Sequence, residues 1–141
     1  MGNRFSFDDK NSRILVVDDM GMSRATARKL LEELGFHRIS EAIHGDEAWM
    51  HLSAADAEGD PYVLVVTDWM MPVLDGLGLL SRINASGWSA LPAVLLATAE
   101  SDASQVAQAV KAGIAAYIKK PLTQDELHQA LKRIREDADR G

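Results

Sequence analysis

Tyr62-Val63-Leu64-Val65-Val66-Thr67-Asp68 is an unbroken apolar run of strand length that stops on a carboxylate. Hydrophobicity that does not alternate marks a strand covered on both faces, as in a parallel sheet. Three other runs share the pattern: Arg13-Ile14-Leu15-Val16-Val17-Asp18-Asp19, Pro92-Ala93-Val94-Leu95-Leu96-Ala97-Thr98 and Ala115-Ala116-Tyr117-Ile118-Lys119-Lys120-Pro121. Each ends on a residue able to handle phosphate or metal. As neighbouring parallel strands, their carboxyl ends would lie along one edge, where open α/β sheets bind ligands. Three carboxylates, a hydroxyl and an ammonium would then share a pocket.

The segments between the runs read as helices. Residues 22–34 carry Ala27, Leu30, Leu31 and Leu34 on one face before Gly35. A weak strand is expected over His37–Ser40 and a helix over Asp46–Ala55, with Ala48, Trp49 and Leu52 inward. Further helices are expected over Leu77–Ala85 and Asp102–Lys111, followed by Gly87 and Gly113. Met71 to Gly76 reads as a loop. The last helix opens on a capping box, Thr123 with Glu126, and has Leu127, Ala130, Leu131 and Ile134 as its stripe. Five strand–helix units with no linker give one α/β domain with helices on both faces. The expected division is a flexible polar lead-in over 1–12, a domain over 13–136 and a tail over 137–141.

Composition bounds the function. The chain has 141 residues, enough for one core. Its net charge of −6 argues against nucleic acid, which needs a concentrated basic face. Without cysteine there are no disulfides, thiolate metal sites or cysteine nucleophiles. No apolar run has the length of a membrane span, and the N-terminus lacks a secretory apolar core, so a cytoplasmic protein is expected. Met1-Gly2-Asn3-Arg4-Phe5-Ser6 fits the loose myristoylation pattern, but an ordinary polar tail is the better reading.

An Asp after a strand often only caps a helix, so each carboxylate alone means little. Together they mean more. Two carboxylates ~5 Å apart repel by ~3 kcal/mol at an effective dielectric of ~20, which calls for a cation. All-oxygen ligands without imidazole favour Mg²⁺ over zinc. Asp68, ending the most apolar strand, is the candidate for an aspartyl-phosphate. Lys119 and Lys120 point to opposite sides of a strand, so only one faces the pocket.

The motifs Val16-Val17-Asp18-Asp19, Thr67-Asp68-Trp69-Met70-Met71-Pro72-Val73-Leu74-Asp75-Gly76, Ala97-Thr98-Ala99-Glu100 and Tyr117-Ile118-Lys119-Lys120-Pro121-Leu122 resemble the receiver domains of response regulators, over about Arg13 to Arg135. Within that family the likeness is to the single-domain, CheY-like chemotaxis regulators. The resemblance implies a doubly wound, flavodoxin-like α/β fold with parallel strands in the order 2-1-3-4-5. It implies phosphorylation of Asp68 by a histidine kinase, and Mg²⁺ held by Asp19 directly, Asp18 through water, Asp68 and the Met70 backbone carbonyl. It gives Thr98, Lys120 and Tyr117 the phosphoryl-sensing roles and makes Lys120-Pro121 a cis bond. Val106, Ala109, Tyr117 and Lys119 would belong to an output face for a partner such as a flagellar motor switch protein. A phosphatase is a further expected partner; nucleic acid and membrane are not. The alternatives are a phosphorelay shuttle or phosphate sink, a module that never takes phosphate, and an aspartyl-phosphate phosphatase. The last usually needs a second aspartate where Met70 stands.

Two positions depart from the chemotaxis prototype. Met70 replaces a polar amide and cannot orient a hydrolytic water, so Met70→Asn should change the acyl-phosphate lifetime; an equal half-life in variant and wild type would contradict this. Lys119 replaces an aliphatic residue. Trp69 is expected near the metal, Trp49 in the core and Trp88 on the surface. His37, His44, His51 and His128 lack metal-ligand spacing and read as surface residues, and Met20 and Met22 as loop packing.

Overall fold

The computed structural model describes residues 5–69, 75–99 and 103–140, with backbone only at 103 and 135–140. Strands and helices alternate: β1 (Arg13–Val17), α1 (Gly21–Glu33), β2 (Arg38–Ala42), α2 (Gly45–Ala57), β3 (Leu64–Asp68), α3 (Gly76–Ala85), β4 (Ala93–Thr98), α4 (Ala103–Ala112), β5 (Ala116–Lys119) and α5 (Gln124–Arg140). The five strands are parallel and run β2-β1-β3-β4-β5 across the sheet. This is the doubly wound order that the family resemblance implied.

Strand alternation sorts the core into two layers. Ile14, Val16, Leu64, Val66, Leu95 and Ala97 meet α1 through Ala27 and Leu31, and α5 through Leu127, Leu131 and Ile134. Leu15, Val17, Val65 and Val94 meet α2 through Leu52 and α3 through Leu79, Leu80 and Ile83. On that second face Leu96 packs with Trp69 beneath Ala109 of α4. No helix among the described residues is long and apolar enough to cross a membrane.

Local chemistry sets the helix ends. Asp75 accepts from the Gly78 amide at 2.7 Å. Thr123 accepts from the Glu126 amide at 3.3 Å, as the capping pattern requires. His44, expected as a plain surface residue, caps α2 by accepting from the Glu47 amide at 3.2 Å. Beyond α1, Gly35 turns the chain at φ 103°, a conformation natural to glycine.

Three expectations need correction. The lead-in is not loose over residues 5–12: Phe5 is buried, with its ring 5.7 Å from that of Phe36, and Phe7 stacks on His128 at 4.9 Å. Lys10 lies over the Phe7 ring at 3.6 Å. Trp49 is half-buried rather than core: it stacks on Trp88 at 4.9 Å, and both rings pack against the margin of the core layer beneath α2 and α3. Ala109 is fully buried, while neighbouring Val110 is 62% exposed. The helical phase of α4 turns position 109 toward Trp69 and Leu96, so Ala109 cannot belong to an exposed output face.

Gly76 matters for the site because its Cα lies against the end of β3. A Cβ there would stand 2.6 Å from the Asp68 carbonyl oxygen and 3.2 Å from the Trp69 Cα. Backbone cannot yield as a flexible side chain can. Gly76→Ala is therefore expected to lower stability by about 2 kcal/mol in denaturant unfolding. Gly21→Ala, whose Cβ would meet nothing nearer than 3.9 Å, serves as the matched control and should not lose stability.

Candidate phosphoacceptor and metal site

The carboxyl ends of β1, β3, β4 and β5 bring the expected residues together. Asp18 follows β1, and its amide donates to Ala42 of β2 at 3.1 Å. Its side chain is buried; Oδ1 accepts from the Met20 amide at 2.9 Å, which fixes the carboxylate as the chain turns into α1. Asp19 is exposed at the mouth. Asp68 ends β3 and pairs in register with Ala97, one residue before Thr98. Thr98 is 2% exposed. The Lys120 amide donates to the Thr98 carbonyl at 2.8 Å, so the ends of β4 and β5 arrive locked side by side. The Lys120-Pro121 bond is cis.

Lys120 turns inward and Lys119 outward, as strand alternation requires. The Lys120 Nζ donates to Asp18 Oδ2 at 2.7 Å and stands 3.3 Å from Asp68 Oδ2. Burial pushes the Asp68 carboxyl above its ordinary value; the Lys120 charge opposes this and the Asp18 charge reinforces it. For Lys120, burial alone would lower the value, but the hydrogen bond to Asp18 and the charges of Asp68 and Asp18 outweigh it and hold the ammonium above its usual range.

One carboxylate oxygen each from Asp18, Asp19 and Asp68 lie within 4.8 Å of one another. With all three ionised, Lys120 cancels one charge and leaves two negative charges in half-buried surroundings. All-oxygen donors and that residual charge fit a small hard divalent cation, which takes one or two carboxylates directly and reaches others through water. The Met70 carbonyl lies outside the described residues, as do Met71 to Leu74 and Glu100.

Tyr117 is half-buried against Trp69, Leu96 and Ala109. Val106 is half-buried and Lys119 exposed. Trp69, expected beside the metal, lies buried under α4, and its backbone amide hydrogen-bonds the Asp68 side chain.

Two supports were not anticipated from sequence. Gly76 permits the approach described above. Arg24 donates from Nη1 to the Asp18 carbonyl at 2.9 Å and from Nε to Glu41 at 2.8 Å, pinning the turn after β1 to the edge strand β2. Burial pushes Glu41 up, but hydrogen bonds from Arg24 and Arg28 outweigh that and hold it below the usual carboxylate range. A hint lay in the sequence: an arginine in the first turn of a helix opposes the helix dipole, so it needs an acidic partner.

Comparison with known proteins agrees with this geometry. The family described as the response regulator receiver domain matches residues 14–132. Chemotaxis protein CheY-3 of Vibrio cholerae is 38% identical over 126 residues, which cover 89% of this chain and 93% of that one. Chemotaxis protein CheY1 of Helicobacter pylori is 38% identical over 120 residues, covering 85% and 94%. Among solved structures, the CheX–CheY–BeF3–Mg complex of Borrelia burgdorferi matches with a TM-score of 0.78 at 24% identity, covering 88% of this chain and 89% of that one. The receiver domain of the Arabidopsis thaliana histidine kinase CKI1 with Mg2+ and BeF3- matches at 0.78 and 22%, covering 89% and 90%. Both structures speak for the fold. With the sheet order, the clustered strand ends and a family match over most of its length, this chain belongs to the response regulator receiver domain family and is a CheY-like component of two-component signalling.

Proposed function

We propose that this chain is a Mg²⁺-dependent phosphoacceptor switch in which Asp68 takes a phosphoryl group from the phosphohistidine of a histidine kinase. The observation that carries this reading is the meeting of Asp68 with Lys120 at 3.3 Å beside Asp18 and Asp19. Asp19, Asp18, Asp68 and the Met70 carbonyl would hold the cation. When bound, it offsets charge on the carboxylates and on the transferring phosphoryl oxygens. Asp68 supplies the attacking oxygen. A phosphoryl group adds up to two negative charges and three strong acceptors. Lys120 would move from its Asp18 contact toward those oxygens, and the Thr98 hydroxyl would donate to them.

Thr98 and Lys120 sit on adjacent strand ends joined by a main-chain bond, so recruiting both shifts β4, β5 and α4 together. The output face would then be Tyr117, Lys119, Val106 and exposed Val110 with α5 beside them, without Ala109. The chemotaxis names of the relatives favour a target such as a flagellar motor switch protein. The protein acts as a switch and not as an enzyme on other molecules; its own acyl phosphate hydrolyses slowly.

Hydrogen exchange tests the switch. Acetyl phosphate with Mg²⁺ should change amide protection across Ala103–Ala112 and Ala116–Lys119, and Asp68→Asn should show no such change. Equal protection before and after phosphorylation of the wild type would contradict it.

A further inference from the structure

The three site carboxylates are not held alike. Asp18 has its Oδ1 on the Met20 amide at 2.9 Å and its Oδ2 on Lys120 at 2.7 Å, and Asp68 meets Lys120 and the Trp69 amide. Asp19 is exposed, and among the described residues its carboxylate meets no hydrogen-bond donor. Its placement therefore depends on the main chain that carries it. That main chain is fixed one residue earlier. The Asp18 amide donates to the Ala42 carbonyl of β2 at 3.1 Å, and the Asp18 carbonyl accepts from Arg24 Nη1 at 2.9 Å. A peptide unit is planar from one Cα to the next, so fixing the Asp18 carbonyl fixes the direction to the Asp19 Cα.

The far end of this hold is rigid. Arg24 Nε donates to Glu41 Oε1 at 2.8 Å, and Glu41 lies on β2 in register with Val16 of β1. The other Glu41 oxygen accepts from Arg28 Nη1 at 2.8 Å, and Arg28 also pairs with Glu32 at 3.6 Å. Two guanidinium groups and two carboxylates cancel, so the network carries no net charge that would repel a cation. We infer that Arg24 is a positioning residue for the metal site: its guanidinium clamps the Asp18 carbonyl to Glu41 and so aims the Asp19 carboxylate at the cation held with Asp18 and Asp68. This role rests on the Mg²⁺ reading of those three carboxylates. The fork is what the task requires. A guanidinium presents its donors in one rigid plane and can hold two acceptors at once, whereas an ammonium is a point charge on a flexible stem. Groups that orient a metal ligand from behind commonly set affinity by roughly 10–100-fold.

Mg²⁺ titrations followed by amide NMR shifts test this on wild type, Arg24→Lys and Arg28→Lys. Both substitutions keep the charge and the helix propensity. Both remove a guanidinium that stands 2.8 Å from Glu41, but only Arg24 touches the Asp18 carbonyl. A role confined to the ion pairs on β2 would therefore move both variants alike. The quantity read is the Mg²⁺ dissociation constant, taken from the Asp19 and Trp69 amides. Arg24→Lys should raise it about tenfold, the lower range for a group that orients a metal ligand. Arg28→Lys should match the wild type. An unchanged constant in Arg24→Lys, or equal weakening in both variants, would overturn the positioning role. Absence of any Mg²⁺-dependent shift in the wild type would instead overturn the metal reading itself.

Discussion

Lys120→Met should lower the unfolding free energy by about 3 kcal/mol at neutral pH without divalent cation, the range for removing one partner of a buried ion pair. Methionine keeps most of the apolar stem, so the loss isolates the charge. In the wild type the ammonium lies within 2.7 Å of Asp18 and 3.3 Å of Asp68, and its side chain is 16% exposed. Removing it leaves two carboxylates facing each other in half-buried surroundings. Two results follow if charge is the cause. Mg²⁺ should restore much of the loss, because a ligand that binds only the folded state stabilises it by mass action. Acid should restore it as well. Asp68 already has a folded value above its unfolded one, and losing Lys120 raises it further. A group of that kind contributes stability below its unfolded value and loses it as pH rises through the folded value. The variant's deficit should therefore shrink as pH falls toward the carboxylate range. Denaturant curves against pH and Mg²⁺ check this; a deficit indifferent to both would assign Lys120 a packing role.

Asp68→Asn should abolish phosphoryl uptake and yet raise the stability of the metal-free protein at neutral pH, because the folded state holds the Asp68 carboxyl above its ordinary value. Burial penalises the charged carboxylate, and the Asp18 charge adds to the penalty. Asparagine keeps the shape without the charge, and Lys120 retains Asp18 at 2.7 Å. The same sign rule fixes the pH dependence. Wild type and variant should converge below the ordinary aspartate value, where both are neutral, and separate as pH rises through the raised value of Asp68. Thermal melts over that window show it directly. A variant less stable than wild type at neutral pH would mean that the ionised Asp68 is a net structural asset.

The strands and the pocket were legible because both are written locally. Four apolar runs end on Asp, Thr or Lys; strand alternation lets only one of Lys119 and Lys120 face the pocket, and the family resemblance singles out Lys120. What escaped the sequence depends on distant partners. Phe5 and Phe7 stand in a polar stretch, and their packing depends on Phe36 and His128, far along the chain. Ala109 and Val110 are adjacent in a helix whose phase is settled only by Trp69 and Leu96 beneath it. Gly76 reads as loop punctuation until the close approach of the Asp68 carbonyl gives it a second purpose. Arg24 needed Glu41, seventeen residues on, to show what it holds.

The most direct test of the central claim is the site of phosphoryl attachment. Treat the protein with acetyl phosphate and Mg²⁺, then map the adduct by mass spectrometry. One base-labile phosphoryl group on Asp68 is expected, absent when the cation is chelated and absent in Asp68→Asn. No adduct on wild type, or one that survives in Asp68→Asn, would contradict it.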